Sequence, residues 1–125
     1  MDEQEWFDLA VEQVAMAGKR ACSAIERAVR DLESSRNIQR QGKALAEIVD
    51  GLISGGGRGT RLKASEAFRD FERAIASMRA EVVRALVDRE GLSLSDVAKL
   101  MQISRQAAGR LYHETATGDE DPGVL

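Results

Sequence analysis

The chain contains a single proline, Pro122, so residues 1–121 include no residue that must interrupt a helix. Aromatic residues make up only 4% of the sequence, whereas alanine, leucine, arginine and glutamate recur throughout, which is typical of helices and not of sheets. Apolar residues also return at alternating steps of four and three, the spacing of one helical face. The sequence therefore predicts an all-α protein.

Two long apolar stripes predict two long helices. The first stripe ends at a predicted break over residues 34–37, and the second spans about residues 63–90. Both approach a 3.5-residue repeat, so the helices could pair within one chain as a hairpin or between chains as a dimerisation module. We expect residues 1–75 to form this helical dimerisation and support region. The first stripe comprises Phe7, Val11, Val14, Gly18, Ala21, Ile25, Ala28 and Leu32.

A short helix is predicted between the two long ones, containing Ile48 and ending at a glycine-rich loop over residues 54–62. This loop, within SGGGRGTRLK, lacks the Gly-Lys-Ser/Thr of a nucleotide phosphate-binding loop. Its arginines, Arg58 and Arg61, are instead candidates for contacting the phosphates of a nucleic-acid backbone.

Charge is distributed unevenly along the chain. The net charge is −3, but residues 1–12 and 114–125 hold nine acidic and no basic residues, so residues 13–113 carry +6. A basic middle favours an anionic partner. The acidic termini could bind a basic protein or screen nonspecific contact with DNA. We expect residues 115–125 to be an acidic disordered tail.

The cysteine and histidine counts argue against a metal site. The chain has one cysteine, Cys22, and one histidine, His113, so it can form neither an internal disulfide nor a Cys/His metal cluster. On an apolar helical face Cys22 is expected to be a packing residue, with a reactive or intermolecular thiol as the alternative. We expect no metal and no cofactor.

No catalytic arrangement is evident in the sequence. It contains no nucleophile–base pair and no cofactor-binding glycine motif, and its paired carboxylates lie only in solvated charge runs, so we do not expect an enzyme. No apolar run approaches the ~20 residues that span a bilayer, and the acidic start does not resemble a signal peptide. We expect a cytoplasmic protein with no membrane partner.

Residues 93–114 carry the signals of two short helices. Ser93 and Asp96 have the spacing of a capping box, which predicts a helix over residues 94–101. Gly91 suits the end of the preceding long helix. The stretch LSDVAKLMQISRQAAGRL, residues 94–111, resembles the helix-turn-helix of bacterial transcription regulators and is similar to its versions in repressors, resolvases and the promoter-reading region of sigma factors.

Four residues carry this resemblance most directly: Ala98 where the helices cross, Gln102 in the turn, Ile103 after it, and Ser104 as the cap of the second helix. Gln102 replaces the usual glycine at a cost of about 1 kcal/mol. With residues 82–89 as a supporting helix, the resemblance extends over residues 82–113 and implies a three-helix DNA-binding unit over residues 76–114.

The resemblance implies that the second helix enters the major groove and that Arg105, Gln106 and Arg110 contact base edges. Gly109 offers no side chain to a base, and Tyr112 either packs under the helix or donates to a phosphate. Four polar residues near the helix N-termini are expected to contact DNA phosphates. They are Ser93, Ser95, Lys99 and Ser104.

Two functions remain open from the sequence. The first is a sequence-specific transcriptional regulator that binds double-stranded DNA as a homodimer, with its recognition helices on half-sites about 34 Å apart. The alternative is a helical adaptor, for example of RNA polymerase or a sigma factor, with a vestigial helix-turn-helix.

Overall fold

The computed structural model describes residues 2–114, and over that range it contains five helices and no strand. The all-α prediction is thus confirmed. The acidic tail expected at residues 115–125 lies outside the described residues. The helices are α1 (Glu3–Arg40), α2 (Leu45–Ser54), α3 (Gly57–Asp88), α4 (Leu94–Met101) and α5 (Arg105–His113).

Helix α1 does not break at residues 34–37, so that prediction is wrong. Ser34 donates its hydroxyl to the Arg30 carbonyl at 3.0 Å, and Ser35 donates to the Leu32 carbonyl at 2.5 Å. Serine side chains that bond back to the preceding turn are compatible with a continuous helix. The helix instead ends at Arg40, and Gly42 follows with φ of +89°, a conformation that favours glycine.

The glycine-rich segment is largely helical, which corrects the loop predicted over residues 54–62. Helix α2 ends at Ser54 and α3 already begins at Gly57, so Arg58 and Arg61 lie in the first turns of α3. A Cβ atom at Gly57 would lie 2.9 Å from the Leu52 carbonyl oxygen. The glycines therefore allow a tight junction between two helices rather than a long mobile loop.

The described chain divides into two compact units between Glu72 and Arg73, within α3. In the first unit α2 packs on α1, and Ile48 is buried. Gly18 of α1 approaches α3 closely, because a Cβ atom there would lie 3.2 Å from Cε1 of Phe71. The buried residues of α1 are all alanines: Ala10, Ala17 and Ala21.

The second unit has a continuous core. Val83 of α3, Val97 and Ala98 of α4, and Ala108 of α5 form one buried cluster. Partly buried residues surround this cluster, including Leu86, Leu92, Met101, Ile103 and Leu111. Three helices therefore share one apolar core.

The two units differ in how well they cover their apolar side chains. Of the 13 exposed large hydrophobic residues in the described chain, 12 lie in the first unit and only Leu100 lies in the second. Nevertheless, none of the helices among residues 2–114 is long and apolar enough to cross a membrane.

Candidate nucleic-acid interface

A complete capping box begins α4. The Ser93 hydroxyl accepts a hydrogen bond from the Asp96 backbone N–H at 3.1 Å, and the Asp96 carboxylate accepts one from the Ser93 N–H at 3.2 Å. Hydrogen bonding to the side chain and the backbone of Ser93 holds the pKa of the Asp96 carboxyl below its ordinary value, and nearby Lys99 lowers it further. The predicted capping box is confirmed, and both of its hydrogen bonds are present.

The turn after α4 is tight because Gln102 adopts the left-handed conformation, with φ of +59°. The Ile103 N–H donates to the Ala98 carbonyl at 3.0 Å, and the Gln102 N–H donates to the Lys99 carbonyl at 3.3 Å. These two bonds form a Schellman motif, which normally places glycine where Gln102 stands. The prediction that Gln102 makes the turn is confirmed.

Helix α5 begins immediately after this turn. Ser104 is its N-cap, and the Ser104 hydroxyl accepts a hydrogen bond from the Ala107 N–H at 2.9 Å. The turn is therefore short. Backbone hydrogen bonds to the end of α4 constrain its beginning, and the Ser104 cap constrains its end. Helices α4 and α5 pack directly on each other, with Ala98 and Ala108 buried between them.

The three predicted base-contacting residues are all exposed at or after the start of α5: Arg105, Gln106 and Arg110. Arg105 also donates from Nε to the Ser95 hydroxyl on α4 at 3.2 Å. This bond joins one expected base contact to one expected phosphate contact across the turn. The remaining phosphate candidates on this unit are exposed as well: Ser93, Lys99 and Ser104.

Charge on this part of the chain is favourable for an anionic ligand. Residues 97–113 contain Lys99, Arg105 and Arg110 and no acidic residue, whereas residues 73–114 as a whole carry only +2. The positive charge of the second unit is therefore concentrated at the turn and along α5. His113 is exposed at the end of that helix.

Gly109 lies toward α4. A Cβ atom at this position would lie 3.9 Å from Cδ1 of Leu94, an ordinary van der Waals distance, and Gly109 is half-buried. The neighbouring helix thus leaves room for a methyl group. Close approach between α4 and α5 does not require a glycine here.

Two long-range hydrogen bonds attach the end of α5 to α3. The Tyr112 hydroxyl donates to the Asp88 carboxylate at 2.7 Å, and Arg84 donates from its guanidinium to the Glu114 carbonyl. The bond to Asp88 and the negative charge of that residue raise the pKa of the Tyr112 phenol. Tyr112 also packs against the core cluster. Of the two roles that the sequence left open for Tyr112, packing under the helix and donation to a phosphate, the structure therefore favours packing.

Arg84 and Asp88 carry no signal in the sequence that predicts these two bonds. Their partners lie 30 and 24 residues away, and no local spacing pattern indicates such contacts. Signals for capping, by contrast, act over three or four residues and were visible in the sequence.

The two remaining phosphate candidates, Arg58 and Arg61, belong to the first unit. They are exposed on α3 and line a shallow pocket together with Ala28 and Ser65. Cys22, expected to be a packing residue, is exposed on α1. The expectation of a packing role for Cys22 within a single chain is therefore wrong.

Comparison with known proteins finds no match to a protein family, to a curated protein or to a solved structure.

Proposed function

We propose that this protein is a non-catalytic, sequence-specific transcriptional regulator that binds double-stranded DNA as a homodimer. The C-terminal part of α3 together with α4 and α5 forms its helix-turn-helix unit. Helix α5 enters the major groove, where Arg105 and Gln106 contact base edges and Arg110 reaches a base or a phosphate one turn later.

The main support for this proposal is the hydrogen bond between Arg105 and Ser95. It holds a guanidinium at the N-terminus of α5, against the hydroxyl of Ser95 and next in sequence to Ser104, the exposed serine that caps α5. Arginine pairs in bidentate fashion with the O6 and N7 atoms of guanine, and hydroxyls near helix N-termini suit phosphate oxygens. One short segment thus presents groups for base contact and for phosphate contact together.

The core beneath α4 and α5 supports the same function. Val97, Ala98 and Ala108 are buried, and both helices have capped N-termini. A rigid support matters because side chains must reach base edges with little positional freedom. The polar side chains therefore stand on a well-packed unit and not on a loop.

The modest charge of the unit favours binding as a pair. Three basic residues over residues 97–113 give a single copy few phosphate contacts and hence weak affinity at physiological salt. Two linked units bind more tightly, because the second contact is made at a high effective concentration. Two recognition helices of a dimer would meet half-sites about 34 Å apart.

The test is a binding assay on the full chain by fluorescence anisotropy, with labelled duplexes selected from genomic fragments. We expect sequence-preferring binding that weakens as salt rises. The double variant Arg105→Ala/Arg110→Ala should abolish the preference. A matched control, Arg27→Ala/Arg79→Ala, removes two exposed arginines elsewhere and should retain it.

Two results would count against this function. Wild-type protein that binds random duplex as well as any selected fragment has no specificity, and the adaptor alternative then becomes the better hypothesis. Equal losses in the two double variants would show that bulk charge, and not the start of α5, determines binding.

A further inference from the structure

Helix α1 carries an apolar ridge that the described chain leaves uncovered. Val11 and Ile25 are each 43% exposed, Val29 is 46% exposed and Leu32 is 56% exposed. Ala15 and Cys22 on the same line are also exposed. We define these six residues as the α1 ridge. We propose that the α1 ridge binds the α1 ridge of a second copy of this chain, with the two helices antiparallel about Cys22.

The spacing of the ridge fits a helical partner. From Val11 to Leu32 the positions step by four and three, and the one intervening position is Gly18, which is half-buried and lies close to Phe71 of α3. Over 22 residues, a little more than three heptads, the ridge extends about 32 Å along α1. A sustained 3.5-residue apolar repeat is the pattern by which two helices pack side by side. The ridge is therefore long enough and regular enough for a helix pair.

A second copy is favoured because the ridge is complementary to itself. In an antiparallel pair centred on Cys22, Val11 lies opposite Leu32 of the second copy and Ala15 lies opposite its Val29. Each of these layers combines a smaller side chain with a larger one. In a parallel pair each residue would meet its own copy, so Ala15 would pack on Ala15 near one end, and Ile25, Val29 and Leu32 would pack on themselves near the other. The larger side chains would hold the helices further apart at that end, and the pair would pack poorly.

Charges beside the ridge favour the same orientation. Lys19 and Glu26 are exposed on one flank, and in the antiparallel pair Lys19 of each copy meets Glu26 of the other, near the centre. Glu12 and Glu33 meet at the outer ends, where solvent screens their repulsion. In a parallel pair, Lys19 of one copy would instead lie beside Val14 and Ala21 of the other copy, which carry no charge. The parallel pair would therefore lack this ion pair.

This inference rests on the homodimer of the proposed function, and it specifies where that homodimer forms. It also accounts for four of the 12 exposed large hydrophobic residues of the first unit, namely Val11, Ile25, Val29 and Leu32. Apolar surface left uncovered in one subunit is a usual mark of a protein interface.

The first experiment measures the mass of the full chain in solution by light scattering at tens of micromolar. We expect wild-type protein to be a dimer and Ile25→Glu/Val29→Glu to be a monomer with unchanged helical circular dichroism. The matched control is Leu9→Glu/Met16→Glu, which places the same charges on exposed α1 residues off the ridge. That control should remain a dimer.

The second experiment tests orientation by crosslinking with a short bis-maleimide. Wild-type dimers should crosslink through Cys22. In a Cys22→Ser background, copies carrying Ala15→Cys and copies carrying Val29→Cys, distinguished by a tag and refolded together, should crosslink to each other. Neither variant alone should crosslink.

The outcomes separate this inference from the proposed function. A monomeric wild type, or a ridge variant that remains a dimer, overturns the ridge interface, whereas DNA preference is tested independently by Arg105→Ala/Arg110→Ala. Self-crosslinking of each single-cysteine variant overturns the antiparallel arrangement. If Ile25→Glu/Val29→Glu is monomeric because it is unfolded, the milder variant Ile25→Ser replaces it as the test. For Ile25→Ser we expect a folded protein whose dimer is at least tenfold weaker.

Discussion

Arg105, the first residue of α5, donates a hydrogen bond from Nε to the Ser95 hydroxyl of α4 at 3.2 Å. The bond spans the turn and uses only the inner nitrogen of the guanidinium, which leaves the two outer nitrogens for a bidentate pair with a base. The two helices together thus orient a side chain that the second helix alone would leave free to rotate.

The first prediction concerns this pair. Arg105→Ala should weaken binding to a preferred duplex about tenfold or more. Ser95→Ala should weaken it less, about threefold, because the arginine remains but is less well oriented. Anisotropy titrations at one fixed salt concentration measure both effects. An Arg105→Ala protein with wild-type affinity would remove Arg105 from the interface.

Gly109 provides a second prediction. Replacing it with alanine should raise the free energy of unfolding by about 0.5–1 kcal/mol, because alanine favours the helix and its methyl group fits 3.9 Å from Leu94. Chemical denaturation followed by circular dichroism measures this change. Gly57→Ala is the contrasting variant and should destabilise the protein, because its Cβ atom would lie 2.9 Å from the Leu52 carbonyl oxygen.

The capping box gives a third prediction, on acid stability. The pKa of Asp96 is lower in the folded chain than its ordinary value of 3.8, so its contribution to stability is present above pH 3.8 and is lost as pH falls through the folded pKa. Ser93→Ala should cost about 1 kcal/mol at neutral pH.

Ser93→Ala should also reduce the dependence of stability on pH below 3.8, because the hydrogen bond to the Ser93 side chain is the largest cause of the lowered pKa of Asp96, whereas the smaller contribution of the residue 93 backbone N–H remains. Thermal melts from neutral to acidic pH test this. If wild-type and variant curves stay parallel across the acidic range, the capping bond does not set the pKa of Asp96.

Tyr112 gives a fourth prediction, at alkaline pH. Its pKa is raised above the ordinary 10.0 by the hydrogen bond to Asp88, so the stabilising contribution is fully present below pH 10.0 and is lost as pH rises through the folded pKa. Ultraviolet titration of the phenol should show Tyr112 ionising later than free tyrosine. In Asp88→Asn, ionisation should return toward 10.0, and an unchanged titration in that variant would contradict the assigned cause.

Helix α4 and its turn show how much of the fold local sequence can predict. The helix bounds of 94–101, the capping box and the role of Gln102 all agree with the structure. Each depends on hydrogen bonds between residues three to five positions apart, so the necessary partners are visible in a short window. The base and phosphate functions of the exposed residues stay predictions.

Helix boundaries near serines and glycines could not be predicted in the same way. Ser34 and Ser35 resemble a break, yet their hydroxyls bond to preceding carbonyls and the helix continues to Arg40. Gly57 suggests a loop in the sequence, yet it begins helix α3 and permits close contact with the Leu52 carbonyl. The same residue types serve either role, and neighbouring backbone decides between them.

The sequence by itself determined that this protein is helical and where α4 and α5 are capped, because propensity and capping act between near neighbours. Only the tertiary structure decided which apolar residues of α1 are covered. Ala10, Ala17 and Ala21 are buried, whereas Val11, Ile25 and Leu32 remain exposed. A periodic stripe shows that a helix has an apolar face, but which part of that face is covered depends on surfaces distant in the chain.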